Sequence, residues 1–202
     1  MRINEVFKSI QWEGKYTGHP VLFIRTSGCT RTCSFCDTQY HKNGKEMSVK
    51  KIVKAIKESG MDIVVWTGGE SMRHIEEIKE VIDTLRENYN FAEHHIETNG
   101  DLIVPVDYFN YIGLSPKCLT AAKNAKTFFE LQNSERYDIK VVTDLKMNKE
   151  LIPYATLLMP LSTYDEKKDK QIQKDVWEYC VEHKIKYAHR VHVNVWGKSI
   201  GK

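Results

Sequence analysis

Short apolar runs that end in small polar residues recur along this chain, and stretches of helical periodicity separate several of them. The runs are "PVLFIRTSG" (20–28), "DIVVWTGGE" (62–70), "AEHHIETNG" (92–100), "YIGLSP" (111–116), "DIKVVTD" (138–144) and "TLLMPLS" (156–162). Between the first two, "SVKKIVKAIKESG" places Val49, Ile52, Val53 and Ile56 on one helical face, with Ser48 as N-cap and Gly60 as stop. Ile75, Ile78, Val81, Ile82 and Leu85 form a second such stripe, and "KKDKQIQKDVWEYCVEHK" (167–184) reads as a last long helix. Only "LKMNKELIPY" (145–154) separates the last two runs, which predicts an abbreviated crossover there. "HRVHVNVWG" (189–197) reads as a final β-rich run. Strands alternating with helices predict parallel βαβ units, and no linker, repeat or low-complexity tract divides residues 1–202. One α/β domain with a mainly parallel sheet is expected.

That topology has a functional consequence. In parallel α/β sheets and barrels, ligands collect at the carboxyl ends of the strands. The tips "TSGC", "TGGE", "ETNG" and "SPK" all fall there, so they are expected to converge on one mouth. Net charge is only +3, which gives no electrostatic footprint for nucleic acid. No apolar run approaches the roughly 18 residues of a membrane span, and "MRINEVFKSI" has no signal-peptide core, so a cytoplasmic location is expected. Five cysteines in a reducing compartment are not read as a disulfide framework.

Three of those cysteines, Cys29, Cys33 and Cys36, sit within "SGCTRTCSFCDTQ". A structural zinc site wants four ligands; no second pair has that spacing, although His41 is available as a fourth. Inert buried thiols are a second reading, against which stand the polar and charged neighbours. The third is an iron–sulfur cluster held by three thiolates, with one iron left open to a cofactor.

"CTRTCSFC" has the C-x3-C-x2-C spacing of the radical S-adenosylmethionine (SAM) superfamily, with an aromatic residue before the last cysteine. "SIQWEG", "FIRTSGC", "FCDT", "TGGE", "ETNG", "SPK" and "HVNVWGKSIG" resemble, in order, the 7-carboxy-7-deazaguanine synthase family. The resemblance implies a partial, abbreviated (β/α) barrel of the radical SAM type. It implies a [4Fe-4S] cluster on Cys29, Cys33 and Cys36, with SAM and Mg²⁺ as the other cofactors. The reaction implied is ring contraction of 6-carboxy-5,6,7,8-tetrahydropterin to 7-carboxy-7-deazaguanine with loss of ammonia, on the route to deazapurines such as queuosine. A one-electron donor such as flavodoxin or ferredoxin and a homodimeric assembly are implied as partners.

Carried over residue by residue, Phe35, Asp37, Gly69, Glu70, Ser115, Pro116 and Lys117 match segments that contact SAM. Thr38 resembles a magnesium ligand, a sensible use of a hard hydroxyl oxygen. Ile10, Gln11, Trp12, Glu13, Arg25, Thr67, His192 and the terminal Lys202 match the substrate side. Arg25 also has an argument of its own. An arginine in an apolar run needs a partner, and its fork suits either a substrate carboxylate or an internal bridge to Glu13 or Glu97. Cys118 and Cys180 are read as bystanders. Three departures stand out: Trp12 occupies a position where the family usually has glycine, Ser71 one where it usually has proline, and the terminal "KSIGK" lacks the arginine that relatives commonly carry before the last glycine. Trp12 is expected to narrow the pocket or stack on the pterin. The competing functions are a glycyl-radical activating enzyme, which needs a groove for a polypeptide, and a non-catalytic metal-binding or redox module.

Overall fold

The computed structural model describes residues 1–34, 36, 38–88, 92–132, 135–197, 199 and 201. The chain begins with β1 (Arg2–Ile10) and β2 (Pro20–Thr26), an antiparallel pair, and the two-residue β3 (Lys45–Glu46) lies on the far side of β1. Then come α1 (Val49–Ser59), β4 (Ile63–Gly68), α2 (Ile75–Glu87), β5 (Glu93–Thr98), β6 (Tyr111–Leu114) and α3 (Leu119–Gln132). The chain continues with β7 (Tyr137–Thr143), β8 (Leu157–Pro160), α4 (Glu166–His183), β9 (Lys186–Tyr187) and α5 (Val191–Trp196). The sheet order is β3-β1-β2-β4-β5-β6-β7-β8-β9, parallel from β2 onward. Strand β1 escapes a simple sequence reading because charged residues interrupt its alternation, and only pairing with β2 fixes it.

The helices start and stop where their residues dictate. Ser48 accepts the Lys51 N–H at the head of α1, and Gly60 closes it at φ 65°. Ile52, Val53 and Ile56 face Ile78, Val81, Ile82 and Leu85 of α2 in one core with the outer sheet residues Leu22, Ile24, Val64, Trp66 and Ile96. The crossover from β7 to β8 is a single 3₁₀ segment, Lys149–Tyr154, as its length predicts. The segment at 191–196 corrects the expectation of a terminal strand: it is the short helix α5, not a β run.

The inner face of β2 and β4 carries a second cluster, Val21, Phe23, Ile63 and Val65, against which Phe7, Trp12 and Tyr16 pack. The loop between β1 and β2 thereby fills the interior. Lys15 N–H donates to Asp138 Oδ2 at 3.0 Å, Tyr111 Oη–H donates to the same oxygen at 2.6 Å, and the Tyr16 ring lies 4.3 Å from that of His95. Gly14 takes a positive φ of 76°, and a Cβ on it would collide with Tyr111 Oη. Residues of β2 and of β8 line one cavity although five strand intervals, about 24 Å in a flat sheet, separate them. The sheet is therefore curled into an open partial barrel. No helix among the described residues is long and apolar enough to cross a membrane.

Candidate active site

A cavity of about 500 Å³ opens at the carboxyl ends of the parallel strands. Cys29, Cys33 and Cys36 line it, none in a disulfide and all partly exposed. The expected tips meet there too, represented by Thr67, Gly68, Gly69, Thr98, Asn99, Ser115 and Lys117. The cysteine loop is fastened from both sides. Arg73 donates to the Cys29 carbonyl at 2.9 Å, and Cys36 N–H closes a turn onto the Cys33 carbonyl at 3.3 Å. Arg31 grips Asp101 with two N–H groups, one at 2.7 Å from Nε to Oδ2. Thr30 Oγ1 donates to Asp101 at 2.7 Å, and Asn99 Nδ2 reaches Thr30 at 2.9 Å and the Cys29 sulfur at 3.9 Å.

Among the described residues, no three His, Cys, Asp or Glu side chains gather closely enough to share one metal ion. The reading as a single-ion zinc site with His41 is therefore not assembled. A cluster asks for a different arrangement, since each thiolate binds its own iron and the sulfurs need not converge on a point. Three thiols outside any disulfide, spread along one wall, fit it.

Gly69 sits where a Cβ would collide with the Gly28 carbonyl and crowd His41, so only glycine lets the TGGE turn lie against the cysteine loop. Glu70 follows Gly69 at the end of the TGGE turn. Its carboxylate does not line the cavity; it is 1% exposed and accepts from Met72 N–H, Thr98 Oγ1 and Asn99 N–H at 3.1, 2.8 and 2.7 Å. Burial pushes its pKa up while those three donors pull it down. Glu70 thus ties the tip of β4 to the tip of β5. Pro116 and Ile10 also fall outside the lining residues, and Ile10 is 42% exposed. Phe35, Asp37 and Lys202 lie outside the described residues.

Gln11, Trp12, Glu13, Arg25, Thr38 and His192 all reach the cavity, His192 from α5 rather than from a strand. Arg25 has an internal bridge, but neither expected partner supplies it. Its Nε donates to Glu5 Oε2 on β1 at 2.8 Å, and Nη1 donates to Thr38 Oγ1 at 3.4 Å. Glu13 and Glu97 are held elsewhere, by the Lys140 ammonium between them, at 3.1 Å to Glu13. Arg190 adds a second cation to Glu13 at 3.4 Å, and Gln11 Nε2 reaches Glu97 at 3.4 Å. Burial alone would lower the pKa of Lys140, but the two carboxylates outweigh it and hold the ammonium charged. For Glu97, burial dominates and pushes its pKa up against the pull of Lys140.

Asn99, Arg31, Lys140 and Arg190 are site residues that the sequence reading passed over. Lys140 had a usable signal, since a lysine inside the apolar "DIKVVTD" raises the same question as Arg25. Asp101 and Arg31 gave none, because their pairing exists only once β5 lies beside the cysteine loop. Cys118 does not line the cavity and receives an Arg31 N–H at 3.1 Å; Cys180 is buried in α4.

Comparison with known proteins agrees with this architecture. Residues 23–114 match the family model described as the radical SAM superfamily. The 7-carboxy-7-deazaguanine synthase of Pyrobaculum aerophilum is 29% identical over 226 residues, spanning 100% of this chain and 97% of the relative. That of Bacteroides thetaiotaomicron is 36% identical over 143 residues, 68% of this chain and 75% of the relative. The crystal structure of QueE from Escherichia coli superimposes with a TM-score of 0.67 at 24% identity, covering 93% of this chain and 92% of that one, which shows a shared fold. Extended similarity to these synthases, on a fold whose three cluster-type thiols open into a charged cavity, shows that the chain belongs to the 7-carboxy-7-deazaguanine synthase family of the radical SAM superfamily.

Proposed function

We propose that this chain converts 6-carboxy-5,6,7,8-tetrahydropterin into 7-carboxy-7-deazaguanine and ammonia. Ammonia is the sole coproduct that balances the atoms, so SAM is regenerated in each cycle. The observation that carries the reading is one cavity in which three thiols share the walls with three amides, two carboxylates and three guanidinium groups. When bound on Cys29, Cys33 and Cys36, a [4Fe-4S] cluster with an open iron supplies the one-electron cleavage of SAM to a 5′-deoxyadenosyl radical.

The protein's own contribution is binding, orientation and exclusion of water. Gly69, Ser115 and Lys117 offer backbone and side-chain donors to SAM, with Phe35, Asp37, Glu70 and Pro116 in the same matched segments. Gln11 and Glu13 suit the N–H and C=O edge of a pterin. Arg25, anchored by Glu5, brings its guanidinium to the cavity wall, where its charge and planar fork suit the substrate carboxylate. Thr38 lines the cavity and would offer a hydroxyl oxygen to Mg²⁺, a cation that prefers hard oxygen ligands. His192 and Thr67 complete the substrate wall, and Ile10 and Lys202 belong to the same reading. An external one-electron donor, a homodimeric assembly and a cytoplasmic setting complete the proposal.

The test is anaerobic reconstitution with iron and sulfide, followed by incubation with SAM, Mg²⁺, reductant and the carboxypterin. Formation of 7-carboxy-7-deazaguanine without net SAM consumption is expected. Abortive cleavage of SAM with no deazapurine formed would overturn the substrate assignment and leave the superfamily intact.

A further inference from the structure

Trp12 carries an aromatic ring on each face. Its indole lies 4.3 Å from the Phe23 ring at 18° and 4.5 Å from the His192 ring at 32°. Two rings that close and that nearly parallel cannot share one face, because their carbons would overlap each other. Phe23 of β2 and His192 of α5 therefore take opposite faces. The indole N–H is also engaged, donating to Ser9 Oγ at 3.3 Å. No open face and no donor of Trp12 are left for a ligand, so it turns only a carbon edge to the cavity. Stacking of this side chain on the pterin, one of the expectations from sequence, is thereby corrected.

Phe7 of β1, the cross-strand neighbour of Phe23, adjoins both rings, 5.2 Å from Phe23 at 17° and 6.0 Å from Trp12 at 20°, so β1 and β2 together back the indole. These three rings belong to a packed cluster, whereas α5 has no buried residue of its own. A six-residue helix without a buried face cannot fix the direction of its side chains by itself. Two contacts fasten it to adjacent positions of the interior loop: Arg190 to Glu13 at 3.4 Å, and His192 to Trp12.

We propose that Trp12 is a positioning residue: it is the rigid shelf that holds the His192 imidazole in the cavity wall, and through it sets affinity for the flat substrate. The inference rests on the reading above that His192 contacts the pterin. A stacked aromatic pair is worth about a three- to tenfold change in an equilibrium, and that sets the size of the effect sought.

The experiment measures carboxypterin affinity by anaerobic titration calorimetry on the reconstituted, SAM-bound protein, with iron content and SAM affinity as controls for folding. Trp12→Leu keeps an apolar side chain and removes the flat face; it is expected to weaken pterin binding about three- to tenfold. Trp12→Phe restores a face and is expected to return to within about twofold of wild type. His192→Phe keeps the stack and loses the ring nitrogens, and is expected to weaken binding by itself. In the Trp12→Leu/His192→Phe double variant, the loss should be no larger than for His192→Phe alone. Losses that multiply in the double variant, or Trp12→Leu binding like wild type while His192→Phe weakens, would overturn the shelf and leave the His192 reading standing. Wild-type affinity in His192→Phe would remove that reading, and the inference with it.

Discussion

Trp66 donates its indole N–H to Nδ1 of His94 at 3.2 Å, and that bond fixes which form of the imidazole the fold accepts. Only a neutral ring can accept at Nδ1. Burial, helped by the charges of Arg86 and His95, pushes the His94 pKa down to about 3. His95 beside it is also pushed down by burial. In the unfolded chain both rings titrate near pH 6.5, so below that pH the unfolded state takes up protons that the folded state refuses. Stability is therefore expected to be whole above pH 6.5 and to fall as the solution is acidified, until the folded ring of His94 itself titrates at about 3. The slope is about 1.4 kcal/mol per pH unit for each such histidine. Urea unfolding at pH 7 and pH 5 measures it, and His94→Gln, which can still accept from Trp66, should lose one proton's worth of slope. An unchanged slope in that variant would clear His94.

Among the elements, the cysteine loop depends most on a neighbour. Its Arg31 is locked to Asp101 just beyond β5, with Thr30 and Asn99 completing the bracket. The Arg31 hydrogen bonds hold the Asp101 carboxyl below its ordinary range. Asp101→Asn keeps the shape and breaks the charged fork. Since both side chains are partly exposed, a few-fold to about tenfold faster loss of iron to a chelator is expected, with the thermal midpoint little changed. Equal release rates would make the bracket incidental. Elements like this explain what the sequence could disclose. The α1 and α2 stripes, Ser48, Gly60 and the short β7–β8 crossover were legible because each is decided locally. Helix α5 was not, since Val191, Val193 and Val195 alternate as a strand would, and contacts with Trp12 and Glu13 override that preference. Cys29, Cys33 and Cys36 stood out by their spacing, and Lys140 by a charge inside an apolar run; Asn99 and Arg190 matter only by where the sheet brings them.

Across the whole molecule, Glu13, Glu97, Lys140 and Arg190 join the interior loop, β5, β7 and the residue before α5 through alternating charges. The Lys140 side chain is 1% exposed, so its removal would take from buried Glu97 its cation and leave it beside Glu13. Lys140→Met is expected to cost about 3–5 kcal/mol of stability by chemical denaturation, the usual penalty for breaking a buried pair from one side. A loss below about 1 kcal/mol would mean that water enters and screens the network. The same connections separate Glu13 from Lys140 by 127 positions and from Arg190 by 177. A ribosome adding about 5–20 residues per second needs roughly 10–35 s to travel from Glu13 to Arg190. The thiols of the cysteine loop emerge early in that interval, well before the last wall of their chamber exists. In the order of synthesis, the metal-binding end of this protein is open to its surroundings long before the substrate end can close.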